Sequence, residues 1–275
     1  MASGGSHTLL VTLLGGFARR TDDWLPISGI VTLLGALDID DSSVRTAVSR
    51  LKKRSWLEAE RRNTRIGYTL TDEARAALEA GDRVIWHSRQ PALLEDGWCI
   101  TSFSLPEAQR AKRHLLRSRL MALGFGNVGS GTWIAPARMT VEASELVETL
   151  GLSENTAIFV GTHEGGQDIA KMVRESWDLD EIHERYREFV ATHQHDFDSL
   201  IAEHGAQVSP RIAFVQYMRV LDDWRVLPMR DPGLPRELLR EDWAGDDAVQ
   251  LLERVVETLE APALEYVRSV VDAPR

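Results

Sequence analysis

The sequence is poor in cysteine, in net cationic charge and in long apolar runs, and each deficit excludes a class of protein. A single cysteine, Cys99, in 275 residues leaves no internal disulfide and no thiolate-rich metal site, and fits a reducing compartment. No stretch approaches the roughly 18 uninterrupted apolar residues of a spanning helix, the longest candidates being Ile27–Leu37 and Ile212–Leu221, so no membrane partner is expected. Met1–His7 lacks the basic region and the small-residue cleavage site of an export signal, and a cytoplasmic location is expected. Lys and Arg number 32 against 42 Asp and Glu, a net −10 that argues, over the whole chain, against a nucleic-acid partner. Repeats and low-complexity tracts are also missing. What is present is 43% hydrophobic residues with 27% charged, enough to bury several cores, and a length that predicts two or three domains.

The acidity is uneven. Residues 1–87 hold 12 Lys and Arg against 11 Asp and Glu, whereas residues 88–275 hold 20 against 31. Within the first part, residues 42–67 carry eight cations (Arg45, Arg50, Lys52, Lys53, Arg54, Arg61, Arg62, Arg65) and two anions (Glu58, Glu60). That concentration is a local electrostatic footprint, and it restores the nucleic-acid reading that the total had excluded.

Periodicity assigns these charges to elements. Apolar residues at 9, 10, 13, 14 and 17 predict a helix over His7–Phe17, and Ile27, Ile30, Val31 and Leu34 predict a second, with Pro26 in its first turn. A third helix, capped by Asp40 or Asp41, buries Val44, Ala47, Val48 and Leu51. Its other face presents Ser42, Ser43, Arg45, Thr46, Ser49, Arg50, Lys52 and Lys53. Leu57–Arg62, a turn over Asn63–Gly67 and Tyr68–Leu70 then read as a hairpin, followed by a helix from Thr71 to about His87. Three helices and a basic hairpin predict a winged helix-turn-helix. Its third helix is of a size to enter the major groove, while Arg61, Arg62, Thr64 and Arg65 of the wing grip the backbone or minor groove.

The run Leu9–Gly16, the segments Val44–Leu51 and Gly67–Thr71, and later Asp231-Pro232-Gly233-Leu234-Pro235 with Trp243-Ala244-Gly245, resemble the PaaX-like family of bacterial repressors of phenylacetate catabolism, over nearly the whole chain. The resemblance implies a winged helix, a central ferredoxin-like α+β domain and a helical C-terminal domain. It further implies a homodimer acting as a repressor and released by an aryl-CoA thioester. The expected α+β multidomain chain divides at 1–88, 89–175 and 176–275. The central part has βαββαβ order on its own terms: strands over Trp98–Leu105, Phe125–Val128, Thr132–Ala135 and Ala157–Thr162, helices over Pro106–Leu123 and Val141–Leu150. Its first strand carries no carboxylate for a nuclease metal. From Ser176 a long apolar stripe predicts one helix, with others over Pro210–Val226, Ala248–Leu259 and Ala263–Val271. Met229–Gly245 reads as a loop, either functional or a structural strap.

Three motifs invite other chemistry. Gly124-Phe125-Gly126-Asn127-Val128-Gly129 spells a dinucleotide fingerprint, but a helix precedes it and a strand follows, the reverse of what a pyrophosphate needs, so it reads as a helix C-cap and turn. His193 and His195 lie about 200° apart on a helix and cannot share a metal there. Gly129-Ser130-Gly131 lacks the flanks of a nucleophile elbow. No catalytic residue, metal or cofactor is therefore expected, and Cys99 reads as an inert buried thiol. For the inducer, an aromatic acyl group wants aromatic walls and a CoA wants cations, which brings forward Trp133, Trp224, Arg211 and Arg230. The expected function is a dimeric, inducer-released repressor that binds operator DNA. The rival is an enzymatic or small-molecule-binding module whose winged helix serves as a protein-interaction surface, a reading that the global acidity favours.

Overall fold

A computed structural model of the chain describes residues 5–87, 91–205 and 207–273. The chain is a mixed α+β protein with two small antiparallel sheets and a helical C-terminal part. Packing gathers it into two compact units, one of Met1–Arg83, Phe189–Arg225 and Ala248–Arg275, the other of Val84–Glu188 and Val226–Asp247. The expected sequence boundary at 88–89 lies outside the described residues.

In the first unit the order is α1 (Ser6–Phe17), β1 (Trp24–Pro26), α2 (Ile27–Gly35), α3 (Asp41–Lys53), β2 (Leu57–Arg62), β3 (Arg65–Leu70) and the start of α4 (Asp72–His87). The three strands form an antiparallel sheet in the order β1-β3-β2. Two local expectations are corrected here. Pro26 is the N-cap of α2 rather than a residue of its first turn, because Trp24–Pro26 is drawn into the sheet, pairing Trp24 with Thr69. The hairpin loop is only Asn63-Thr64, since β3 starts at Arg65 and pairs from Arg62↔Arg65 onward. Gly67 is thus a strand residue, and its role is steric: a Cβ there would stand 2.5 Å from the Trp24 ring, so only glycine lets β1 lie this close. Asn63 takes φ 54°, a left-handed conformation that asparagine tolerates in a tight turn.

The remainder of this unit is α9 (Pro210–Trp224) with most of α8 (Leu179–His204) and of α10 (Ala244–Asp272). These helices cover the side of α1 that α2 and α3 leave open. Phe17 meets Tyr217 edge-on at 5.8 Å and Phe214 at 5.7 Å, which explains why α1 buries Leu9, Leu10, Leu13, Leu14 and Phe17 almost all round. A buried polar link joins the same helices: Thr12 Oγ1 donates to Asp222 at 2.5 Å, and Arg225 Nε donates to that carboxylate at 3.1 Å. The two expected C-terminal helices are one, α10, running through Pro262. Losing one backbone hydrogen bond at the proline costs about 3 kcal/mol, and the stripe of Val255, Leu259, Ala263, Leu264, Val267 and Val271, buried on both sides of it, offsets that cost.

The second unit is built on β4 (Trp98–Phe103), α5 (Arg110–Ala122), β5 (Gly126–Gly129), β6 (Thr132–Pro136), α6 (Thr140–Thr149) and β7 (Thr156–Gly161). The sheet order is β5-β6-β4-β7, wholly antiparallel. One face of the sheet is packed by Leu116, Leu120, Ala143 and Val147 of α5 and α6. The other receives α7 (Ile169–Ser176), a helix that periodicity had not revealed and that Asp168 caps by accepting from the Lys171 N–H at 2.8 Å. Gly124, at φ 83°, ends α5, and its carbonyl accepts from Trp177 Nε1, so the dinucleotide-like glycines are a helix terminus followed by a strand. Cys99 is buried in this sheet, and burial pushes its thiol pKa up, away from thiolate reactivity.

Candidate nucleic-acid interface

The candidate site begins with how α3 is started. Asp40, in extended conformation, accepts from the Ser43 N–H at 2.9 Å and from Ser42 Oγ at 2.5 Å, and these hydrogen bonds hold its carboxyl well below the usual range. Asp38, at φ 65°, turns the chain between α2 and α3. With the cap fixed, Val44, Ala47, Val48 and Leu51 are driven into the core at i, i+3, i+4 and i+7. The opposite row is then dictated: Ser42, Arg45, Thr46, Ser49, Arg50 and Lys53 share one solvent face, with Ser43 and Lys52 on its flanks.

Not every side chain of that row is equally available. Thr46 Oγ1 donates to the Ser42 carbonyl at 2.9 Å, and Arg45 pairs with Asp41 at 2.6 Å. The latter is an exposed i,i+4 pair, worth little and readily exchanged for a stronger anion. Among the described residues, Arg50, Lys52, Lys53, Arg54 and Arg61 have no carboxylate partner. The positive potential they create is felt by His7, whose pKa is lowered first by burial and then by Arg54, Arg50 and Arg225.

The hairpin divides its arginines by role. Arg62 donates to both oxygens of Glu60 at 2.9 and 3.2 Å and lies 5.2 Å over the Trp24 ring. Glu60 also accepts from Thr69 Oγ1, and these bonds lower its pKa while raising that of Arg62. Arg65 lies 5.8 Å from the same ring and donates to the Val271 carbonyl, tying the hairpin to α10. Arg62 and Arg65 therefore brace the hairpin, and Arg61 with the loop residues Asn63 and Thr64 face outward. Sequence reasoning did not identify Trp24, Glu60 or His7. The Glu60/Arg62 spacing of two along a strand, which puts both on one face, was the available signal.

The four residues brought forward for an inducer fall in different units. Trp224 is fully buried against Phe189 at 5.5 Å, and Arg211 lines an open groove of about 520 Å³ between α8 and α9, beside His195, Ser199 and Arg219, all in the first unit. Trp133 lies in the core of the second unit, where Arg230 is exposed and pairs with Glu181 at 3.1 Å. The buried His193 contacts Asp223 through Nε2 at 2.9 Å.

A mixed α+β chain with a cationic helix-and-hairpin face is the class that fold and site define. Three family models align to it in order: "PaaX-like protein" over residues 6–74, "PaaX protein central Cas2-like domain" over 91–173, and "PaaX-like protein C-terminal domain" over 177–269. The chain belongs to the PaaX-like family. It is 26% identical over 268 residues to the transcriptional repressor PaaX of Escherichia coli (strain K12), covering 95% of this chain and 83% of the relative. It is also similar in fold, with a TM-score of 0.60 at 18% identity, to the uncharacterized protein Rv0674 from Mycobacterium tuberculosis, covering 98% of this chain and 99% of that one.

Proposed function

We propose that this protein is a transcriptional repressor that binds operator DNA through a winged helix-turn-helix formed by α1–α3 and the β2–β3 hairpin. The observation that carries the reading is the coincidence of an exposed cationic row on α3, in which Arg50, Lys52 and Lys53 have no carboxylate partner among the described residues, with the outward-facing tip of the β2–β3 hairpin. A helix about 10–12 Å across fits the major groove, and Ser42, Arg45, Thr46, Ser49 and Arg50 are the side chains that read base edges, with Ser43 beside them. Lys52, Lys53, Arg61 and Thr64 contact phosphates, and Arg62 and Arg65 position the wing. A relative named as a transcriptional repressor supports this reading and fits a protein that is not an enzyme. The rival reading rests on acidity, and that acidity lies outside residues 42–67.

The finer parts of the proposal are a ferredoxin-like central domain, supported by the βαββαβ order and the β5-β6-β4-β7 sheet, and a C-terminal helical region that dimerises the repressor. A dimer reads two symmetric half-sites. Release follows when an inducer binds the DNA-incompetent arrangement more tightly; a 100-fold loss of operator affinity requires about 2.7 kcal/mol of differential binding. We assign an aryl-CoA thioester to that role, with phenylacetyl-CoA as the probe. In gel shifts, phenylacetyl-CoA is expected to release the protein from duplex taken from upstream of its own gene, and free aromatic acids are not. Retention in the presence of the thioester would remove the inducer assignment and leave the DNA-binding assignment standing.

A further inference from the structure

The cationic residues of α3 and the wing are not the only concentrated positive charge. Helix α5 reads Arg-Ala-Lys-Arg-His-Leu-Leu-Arg-Ser-Arg-Leu-Met-Ala, with five permanent cations and no carboxylate, in a chain of net −10. Leu116 and Leu120 anchor it to the sheet of the second unit, and Arg110, Lys112, His114, Arg117 and Arg119 are exposed. Arg113 alone has a carboxylate partner among the described residues, Glu107 at 3.0 Å.

Helix stability does not explain these cations. In the last turn Arg119 is favoured by the helix dipole, but Arg110 and Lys112 stand in the first turn, where the dipole opposes positive charge. Residues placed against the local field and left without a counter-ion point to an external anion. Their spacing specifies its form. Arg110, His114 and Arg117 recur at i, i+4 and i+7 along one ridge, and Lys112 and Arg119 at i and i+7 along the other. Each ridge is about 10 Å long at 1.5 Å per residue, the span of about three phosphates of one DNA strand. With three arginines to one lysine on the two ridges, the set also favours planar, bidentate binding of phosphate.

We propose that α5 is a second, sequence-independent contact with the phosphate backbone of duplex DNA. The proposal rests on the repressor reading, and the closing experiment separates the two. Full-length protein is titrated with a random-sequence duplex over a range of salt concentrations by fluorescence anisotropy. The variants are Arg110→Gln/Arg117→Gln, Lys112→Gln/Arg119→Gln and, for α3, Lys52→Gln/Lys53→Gln. Each α5 pair is expected to reduce the log–log salt slope by about 1.8 and to weaken binding roughly 50-fold near 0.1 M salt, with the circular-dichroism melt of the parent retained. If neither α5 pair changes the slope while the α3 pair does, α5 is not a DNA contact and the repressor reading survives. If the α5 pairs instead alter the mass seen by sedimentation at unchanged slope, the cations serve an acidic face of a second copy, which overturns the proposal. Absence of duplex binding by the parent protein would overturn both.

Discussion

Replacing Arg45 and Arg50 together by alanine is expected to weaken operator binding by about 2–4 kcal/mol, a factor of roughly 30 to 1000, and to relax sequence preference at the base pairs they meet. Both side chains stand on the exposed row of α3, opposite the buried Val44, Val48 and Leu51, so their removal leaves the core untouched. Among the described residues, Arg45 is engaged by Asp41 alone, in an exposed pair, and Arg50 has no carboxylate partner. Neither therefore has much to lose on transfer to DNA. Truncation of Lys52 and Lys53 is the contrast: it lowers affinity for all sequences alike and reduces the salt slope by about 1 per residue. Comparing the variants on operator and random duplex in one titration series separates readout from backbone contact.

Removal of the Asp231 carboxylate has the largest expected effect on stability. Asp231 is half-buried; Tyr186 Oη donates to it at 2.7 Å and the Gly233 N–H at 2.7 Å, while Arg138 nearby donates to the Gly233 carbonyl at 3.2 Å. Gly233, at φ 62°, completes the turn, and the Ala92 N–H donates to the same carbonyl. Asp231→Ala removes the acceptor that Tyr186 Oη and the Gly233 N–H share and the negative charge that acts most strongly on Arg138, at a cost of about 3–5 kcal/mol. Asp231→Asn keeps the shape and costs much less. The two also differ from the parent in pH dependence. Burial raises the pKa of Asp231 above its ordinary value, against the opposing pull of Tyr186, Gly233 and Arg138. A carboxyl whose folded pKa is raised contributes stability below its unfolded pKa and loses that contribution as pH rises through the folded value. Urea midpoints of the parent minus those of Asp231→Asn should accordingly fall from about pH 4 towards neutrality. A difference that rises over that range would contradict the assignment.

The parts of the fold that were legible are those set by neighbours in sequence. Asp40 and the spacing of Val44, Ala47, Val48 and Leu51 specify both the start of α3 and which face it exposes, without help from the rest of the chain. The irregular Met229–Gly245 loop was readable from its proline and glycine for the same reason. What was not legible depends on residues brought together from a distance. Arg62 and Arg65 look like free hairpin cations until Trp24, some forty residues earlier, supplies a ring for both, and until Val271 supplies a carbonyl for Arg65. Pro262 reads as a stop locally, and only the core on both sides of it keeps α10 continuous. Helix α7 was missed because eight residues give too little periodicity. The link of Thr12 to Asp222 has no local signature at all.

The central claim is that α3 confers sequence-specific binding to DNA. Its most direct test is selection of duplexes from a random pool by the full-length protein, followed by competition of the selected duplex against random duplex at fixed salt. The account predicts a selected motif bound at least about 1000-fold more tightly than random sequence, with the preference lost in Arg45→Ala/Arg50→Ala. Failure to enrich any motif, or a selected duplex competing no better than random DNA, would contradict it.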